Sequence, residues 1–352
     1  MLISLLDNIN FFHINNLIVH CCLSSLFSLF ITLIIGNKII DILHQHQHKG
    51  QPIRKDGPKS HLLTKQGTPT MGGFMILASS ILSMLLFCNL KDVFVWTGIA
   101  VLLIFGLVGF ADDYLKVTRQ SSRAMTAKMK LFLQFTTALI AVLIISYNTP
   151  ENYRFILNIP YFDWHFNIGW FYILFAMVVI SGASNGVNLS DGLDGLAGGL
   201  LAIIFSVFAY IATIVISVNS SIPAIPSAPE IAVMCSAIVG SCLGFLKFNH
   251  KPAKVFMGDT GSLSLGAFLG LVAVMLKQEI ILAIAGFVFV AESLSVMIQV
   301  YYFKITNGKR FFKMAPIHHH FEQTGWSEIK VVRIFWLAGL ILAFLGIVIL
   351  RG

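Results

Sequence analysis

The chain has 352 residues, 57% of them hydrophobic and only 11% charged, with a formal net charge of +8. Soluble globular domains carry about 25% charged residues, so a single water-soluble core is excluded. The apolar residues also fall into runs long enough to cross a ~30 Å hydrocarbon layer as helices. The fold class is therefore all-α, a polytopic membrane protein.

Ten spans are predicted, with cores at 17–37, 71–89, 94–111, 131–147, 169–187, 195–217, 231–246, 262–276, 280–303 and 331–350. The first is a span rather than a signal peptide, because no basic residue precedes it and the first is Lys38. With the N-terminus outside, the inner loops collect 20 Lys and Arg and the outer segments only 4, namely Lys91, Arg154, Lys277 and Arg351. That asymmetry predicts that both termini are periplasmic or extracellular. A basic inner face also attracts anionic lipids and substrates. Nothing in the pattern calls for a nucleic-acid partner.

The connections are mostly short. Residues 148–168 hold Pro150, Pro160 and several aromatics and are predicted to be an interfacial hairpin or loop. The Pro-rich run 221–230 is a turn, since proline is not tolerated in a helix interior. The tract from His44 to His48 is read as a solvated inner helix end. Cys21, Cys22, Cys88, Cys235 and Cys242 lie in or beside apolar runs without metal-ligand spacing, so they are packing residues.

The chemistry is concentrated in five loops on the predicted inner face. Asp112-Asp113-Tyr114-Leu115-Lys116 ends the third span. Adjacent carboxylates repel one another unless a divalent cation or a cationic side chain is near. In Asn188-Leu189-Ser190-Asp191-Gly192-Leu193-Asp194-Gly195, Asn188, Asp191 and Asp194 are three apart, so they share a face if the segment opens a helix. Its glycines permit close approach of a ligand. Phe256-Met257-Gly258-Asp259-Thr260-Gly261-Ser262 places a carboxylate at a helix entrance, where it suits Mg²⁺ binding or nucleophilic attack. Lys247, Asn249, Lys251 and Lys254 precede it. Pro316-Ile317-His318-His319-His320-Phe321-Glu322 precedes the last span; consecutive side chains diverge, so phosphate contacts fit better than zinc. Lys65-Gln66-Gly67-Thr68-Pro69-Thr70-Met71-Gly72-Gly73 is Gly- and Thr-rich but lacks the Walker spacing.

These loops come from scattered parts of the chain yet meet one membrane face. Together they offer Asp for a metal, Lys and His for phosphates, and Gly for close approach. Phosphoryl-group transfer needs mainly positioning and charge neutralisation, and a site facing the bilayer suggests a lipid acceptor.

The segments GTPTMGG, DDYLK, NLSDGLDGL, GDTGS and PIHHHFE occur in the order seen in the polyprenyl-phosphate phospho-N-acetylhexosamine transferases, which the chain resembles from about residue 20 to 350. PIHHHFE together with GTPTMGG resembles the branch acting on phospho-N-acetylmuramoyl-pentapeptide. The resemblance implies one integral-membrane catalytic domain over 1–352, in the bacterial inner membrane, with its site on the cytoplasmic face. It implies UDP-N-acetylmuramoyl-pentapeptide and undecaprenyl phosphate as substrates, Mg²⁺ as cofactor and a homodimer as the family state. By the same resemblance Asp259, Asp112 and Asp113 are the metal and catalytic carboxylates, and His318 joins them. Asn188, Asp191 and Asp194 line the nucleotide-sugar cleft, and Phe256 stacks on uracil. Lys65, Thr70, Asn249, Gln299 and His319 are further cleft residues. Lys116 and Lys128 meet phosphates, with Lys130 as the alternative to Lys128.

Two other readings compete. A sister enzyme would transfer phospho-N-acetylglucosamine to the same lipid; the His318-His319-His320 run argues against it. A secondary transporter would account for Glu292 in the middle of a span, where an ionisable residue is costly and usually functional. The remaining candidates, however, sit in loops rather than near the midplane.

Overall fold

The computed structural model describes residues 16–47, 50, 65–120, 125–162, 164–217 and 225–351. His48, Lys49, Arg54, Lys55, Lys59, Arg123 and residues 221–224 of the Pro-rich run lie outside the described residues.

Twelve helices are described: α1 (Asn16–His46), α2 (Gly73–Phe87), α3 (Val93–Arg119), α4 (Ala127–Asn148), α5 (Phe171–Ser190), α6 (Leu196–Ser217), α7 (Ala228–Asn249), α8 (Gly258–Leu276), α9 (Glu279–Ala285), α10 (Phe287–Ile305), α11 (Ile317–Gln323) and α12 (Glu328–Arg351). Nine of them are long and apolar enough to cross a membrane, and α2 is a shorter apolar helix of 15 residues. Between α4 and α5 the predicted interfacial segment is an antiparallel hairpin, β1 (Ile156–Ile159) with β2 (Trp164–Asn167), pairing Ile156 with Asn167.

Helix α8 is the axis of the bundle, buried at every position from Gly258 to Leu276. No lipid tail reaches it, and its neighbours approach closely because the crossing residues are small. A Cβ on Gly109 of α3 would stand 2.1 Å from the Asp259 carbonyl oxygen, and one on Gly73 of α2 would stand 2.3 Å from Gly261 Cα. On the α5 side, a Cβ on Gly266 would meet Ala183 O at 2.6 Å and one on Gly270 would meet Ile180 Cα at 2.7 Å. Helix α1 docks differently, through a ladder of hydroxyls. Ser28 Oγ donates to Ala237 O at 2.7 Å, and Thr32 Oγ1 and Ser79 Oγ lie 2.6 Å apart. In a dry bundle such pairs satisfy groups that would otherwise face hydrocarbon.

Two expectations from the sequence are corrected. The span at 280–303 is not one helix: α9 ends at Gly286 and α10 starts at Phe287. A Cβ at Gly286 would lie 2.7 Å from Leu282 O, so the glycine lets the chain pass close to that carbonyl as it turns. Past the break α10 exposes Phe287, Leu294, Met297, Tyr301 and Ile305. The segment from Asn188 to Gly195 closes a helix rather than opening one. Asn188 is in the last turn of α5, and Asp191 follows its end. Gly195 then takes φ +82°, a left-handed backbone that reverses the chain into α6 and favours glycine.

Replacing Gly109 by Ala forces the α3–α8 crossing apart. Overpacking of this kind costs roughly 1–3 kcal/mol. The melting temperature in detergent is expected to fall by several degrees, while Gly182→Ala, whose added Cβ meets nothing within 4 Å, leaves it unchanged. Equal melting of the two variants would contradict this packing.

Candidate active site

The ends of α3, α4, α5 and α8 bring four carboxylates and two ammonium groups together. Helix α8 enters with Asp259 in its first turn, where the unpaired N–H groups favour negative charge. Asp259 Oδ1 accepts from Asn188 Nδ2 at 2.9 Å. Its Oδ2 meets Lys116 Nζ at 3.1 Å and also the ammonium of Lys130. Asp112 Oδ2 lies 2.7 Å from Lys116 and 3.5 Å from Lys130, and its Oδ1 accepts from the Met125 N–H. Asp113 is fully buried; its Oδ2 accepts from both N and Oγ1 of Thr260 at 3.0 Å, and its Oδ1 has no hydrogen-bonding partner. Asp191 accepts from the Gly258 N–H at 3.1 Å. Burial, then the charges of Asp259 and Asp113, push the Asp191 carboxyl well above the usual carboxylate range. Gly258 takes φ +72°, and a Cβ there would stand 2.5 Å from both Asp113 Oδ2 and Thr70 Oγ1. Only glycine lets the loop carry Asp259 this close to Asp113.

A second charged cluster adjoins the first. Lys65 is buried and lies 2.6 Å from both Asp194 and Glu328, and Lys251 lies 2.6 Å from the other oxygen of Glu328. Burial alone would lower the Lys65 ammonium, but the charges of Glu328 and Asp194 outweigh it and raise it. The amine therefore stays charged at neutral pH. Its nitrogen sits 5.8 Å from the centre of the half-buried Phe256 ring. That leaves an aromatic face beside a fixed cation.

The histidine run forms α11. His318 is fully buried with Nδ1 3.0 Å from Glu292 Oε1, so the mid-span carboxylate has an imidazole as its neighbour. His319 Nδ1 lies 2.7 Å from Glu322 Oε2, and His320 Nδ1 accepts from the Lys313 N–H. The His318 and His319 rings meet at 4.1 Å between centres instead of diverging, and His320 turns to the loop before α11.

Several sequence candidates have other partners. Asn249 donates to Val255 O and accepts from the Gly195 N–H, so both polar ends tie loops together. Asp194 accepts from the Ala253 N–H besides meeting Lys65. Gln299 accepts from the Phe312 N–H and holds the loop before α11. Thr70 is fixed through its backbone by Gln47, which accepts from its N–H and donates to its carbonyl. Lys128 is exposed, and Lys130 is the residue that reaches Asp259 and Asp112. On α4, positions 128 and 130 point about 200° apart, so only one can face the cluster. Glu328 was not anticipated at all. It is 263 positions from Lys65, and no local motif marks it.

A crevice of about 260 Å³ lies between α5 and the α9–α10 break, lined by Val179, Ala183, Val187, Leu282, Phe289 and, toward the far end of α8, Glu279. It is largely apolar, and Leu269 of α8 also lines it.

An integral-membrane bundle with carboxylates, lysines and an aromatic shelf at one end defines a membrane-embedded transferase of phosphorylated substrates. Residues 95–277 match the family described as glycosyl transferase family 4. Phospho-N-acetylmuramoyl-pentapeptide-transferases from Rickettsia felis, Rickettsia akari and Rickettsia canadensis are each 48% identical to the chain, over 97% of it and 97% of their own length. The chain belongs to the phospho-N-acetylmuramoyl-pentapeptide-transferase family.

The geometry separates the two neighbouring lysines. Lys130→Met removes a cation from a buried carboxylate cluster and is expected to lower turnover at least 100-fold, whereas Lys128→Met stays within about threefold. Steady-state rates of the two purified variants decide it, and a reversed order would place the phosphate contact on Lys128.

Proposed function

We propose that the chain transfers phospho-N-acetylmuramoyl-pentapeptide from its UDP-linked form to undecaprenyl phosphate, releasing UMP and forming lipid I for peptidoglycan synthesis. The reaction takes place on the cytoplasmic face of the bacterial inner membrane, with both termini periplasmic. The observation that carries this reading is the meeting of Asp112, Asp113 and Asp259 with Lys116 and Lys130, next to the Lys65 and Phe256 shelf. It is a site for a diphosphate flanked by a site for a base.

The uracil stacks on Phe256 with Lys65 beside it, and the 188–195 loop covers the ribose side. Asn249 and Asp194 shape this loop instead of reading the base edge, since their polar atoms are engaged within the chain. Lys116 and Lys130 neutralise the diphosphate. The carrier's hydrocarbon tail lies in the apolar crevice between α5 and α10.

The donor set suits Mg²⁺ in chemistry and charge: hard carboxylate oxygens, one of them, Asp113 Oδ1, buried without a hydrogen bond and 3.8 Å from Lys116 Nζ. Among the described residues no three such groups are arranged around a common point as they stand. Lys116 and Lys130 hold that space, and they must swing toward substrate phosphates for Asp259 and Asp113 to bind the ion, with Asp112 alongside. When bound, Mg²⁺ supplies charge stabilisation at the diphosphate.

The transfer is a single displacement. A non-bridging oxygen of the lipid phosphate attacks the β-phosphorus, and the bond from that phosphorus to the bridging oxygen breaks. UMP leaves with the electron pair. A phosphate monoester has its second pKa near 6, so at neutral pH the acceptor is largely dianionic and nucleophilic without a general base. Asp259, held by two lysines and Asn188, is a poor nucleophile. Asp112 orients the lysines.

Two experiments test this. Purified enzyme given undecaprenyl phosphate is expected to consume labelled UDP-N-acetylmuramoyl-pentapeptide and not UDP-N-acetylglucosamine, and Asp259→Asn is expected to abolish turnover without loss of folded protein. Preference for the second sugar would assign the chain to the sister reaction. Mechanistically, labelled UMP is expected not to exchange into the UDP-sugar in enzyme assayed free of polyprenyl phosphate. Lipid-independent exchange near the turnover rate would establish a covalent phospho-enzyme.

A further inference from the structure

Glu292 lies in the interior of α10, fully buried, and the reaction described above gives it nothing to do. A lone carboxylate in a membrane-spanning helix is costly and is retained where it has a partner or a task. Its neighbour is the imidazole of His318 on α11, itself fully buried, with Nδ1 3.0 Å from Glu292 Oε1. Neither nitrogen of His318 and neither oxygen of Glu292 has an aligned hydrogen bond. Nδ1 therefore faces the carboxylate without an aligned hydrogen bond, and Nε2 is a buried polar atom that likewise has none.

The direction of Nε2 is fixed by Gly192. A Cβ on that glycine would lie 2.4 Å from His318 Nε2, 2.9 Å from Cε1 and 3.4 Å from His319 Nε2. The ring thus fills the space that a side chain at 192 would take, directly beside Asp191. Asp191 in turn holds the Gly258 N–H, one residue before Asp259. The His318 ring also meets the His319 ring at 4.1 Å between centres, which closes its other flank. The chain runs from a carboxylate through an imidazole to the loop that covers the nucleotide-sugar.

We propose that Glu292 is a positioning residue for His318: it holds the proton on Nδ1 and fixes the ring so that Nε2 is aimed at the Gly192 loop that borders the nucleotide-sugar cleft. A carboxylate behind an imidazole sets its tautomer and orientation, and loss of such a partner typically costs 10- to 100-fold. The inference rests on the transferase reading above. A purely structural Glu292 would instead only dock α11 onto α10.

The test compares the full-length wild type with Glu292→Gln, Glu292→Asp, His318→Asn and the Glu292→Gln/His318→Asn double variant, with UDP-N-acetylmuramoyl-pentapeptide and undecaprenyl phosphate. Glu292→Gln is expected to lower kcat 10- to 100-fold, with KM for the nucleotide-sugar within about threefold and little change in melting temperature. Glu292→Asp is expected to recover at least part of kcat, and the double variant to be no slower than His318→Asn alone. A kcat within twofold of wild type in Glu292→Gln would overturn the proposal. So would single losses that multiply in the double variant, or a loss that tracks melting temperature alone. If Glu292→Gln fails to fold, Gly192→Ala presses the same ring from its other edge and is expected to reproduce the kcat loss; unaltered kcat there also overturns it. Absence of any turnover in the wild type would refute the transferase reading instead. The ¹⁵N shifts of His318 would still report whether the proton sits on Nδ1 in the wild type and is lost from it in Glu292→Gln.

Discussion

The structure depends on keeping ionised carboxylates buried at the entrance of α8. Asp259 stands in the first turn of a helix that is buried along its length, and it is held there by Lys116, Lys130 and Asn188. Moving such a charge out of water costs several kcal/mol, and the cost is offset only by close opposite charge and further hydrogen bonds. This is why the lysines come from two different helices, α3 and α4, and why Asn188 comes from a third. Each supplies a donor from a direction the others cannot reach. A cluster so arranged suits the proposed diphosphate substrate, since ammonium groups that neutralise carboxylates can also neutralise phosphates.

Close packing is what lets the cluster form. The carboxylates of 112 and 113 can face Asp259 only if α3 crosses α8 nearly backbone to backbone, and Gly109 allows that. Gly258 does the same for the loop carrying Asp259, and Gly192 for the seat of His318. These glycines therefore act on the chemistry through distance. Around this centre the polar network extends outward to Lys65, Asp194, Glu328 and Lys251, so the two charged clusters lie side by side.

The opposite end of the bundle carries a second buried polar group. Lys277 follows α8, lies 3.7 Å over the Tyr172 ring and donates to Arg154 O at 3.0 Å. Burial lowers its ammonium to about 8 and raises the neighbouring Glu279 carboxyl to about 7. Glu279 also bonds the Tyr172 hydroxyl and lines the crevice. These contacts pin α9 and the β1–β2 hairpin to the end of α8, leaving the break at Gly286 as the point where α10 departs.

The sequence by itself determined the membrane class, the positions of most of the long apolar helices and the turn-back of the chain between α4 and α5. These follow from local quantities: runs of apolar residues, proline and glycine placement, and motifs read in order. The resemblance in GTPTMGG, DDYLK, NLSDGLDGL, GDTGS and PIHHHFE led to the family that the relatives then showed. Tertiary structure alone decided what depends on facing. Lys130 and not Lys128 points inward because two helical positions cannot share a face. Asn188 to Asp194 end a helix because Gly195 turns the chain by a left-handed residue. Asn249 is a loop clasp, Glu292 finds His318, and Glu328 meets a lysine 263 positions away. Pairings across such separations leave no periodic trace in one sequence, since any acid and any base would satisfy composition equally. Only packing, with its demand that every buried charge meet a partner, selects which ones meet.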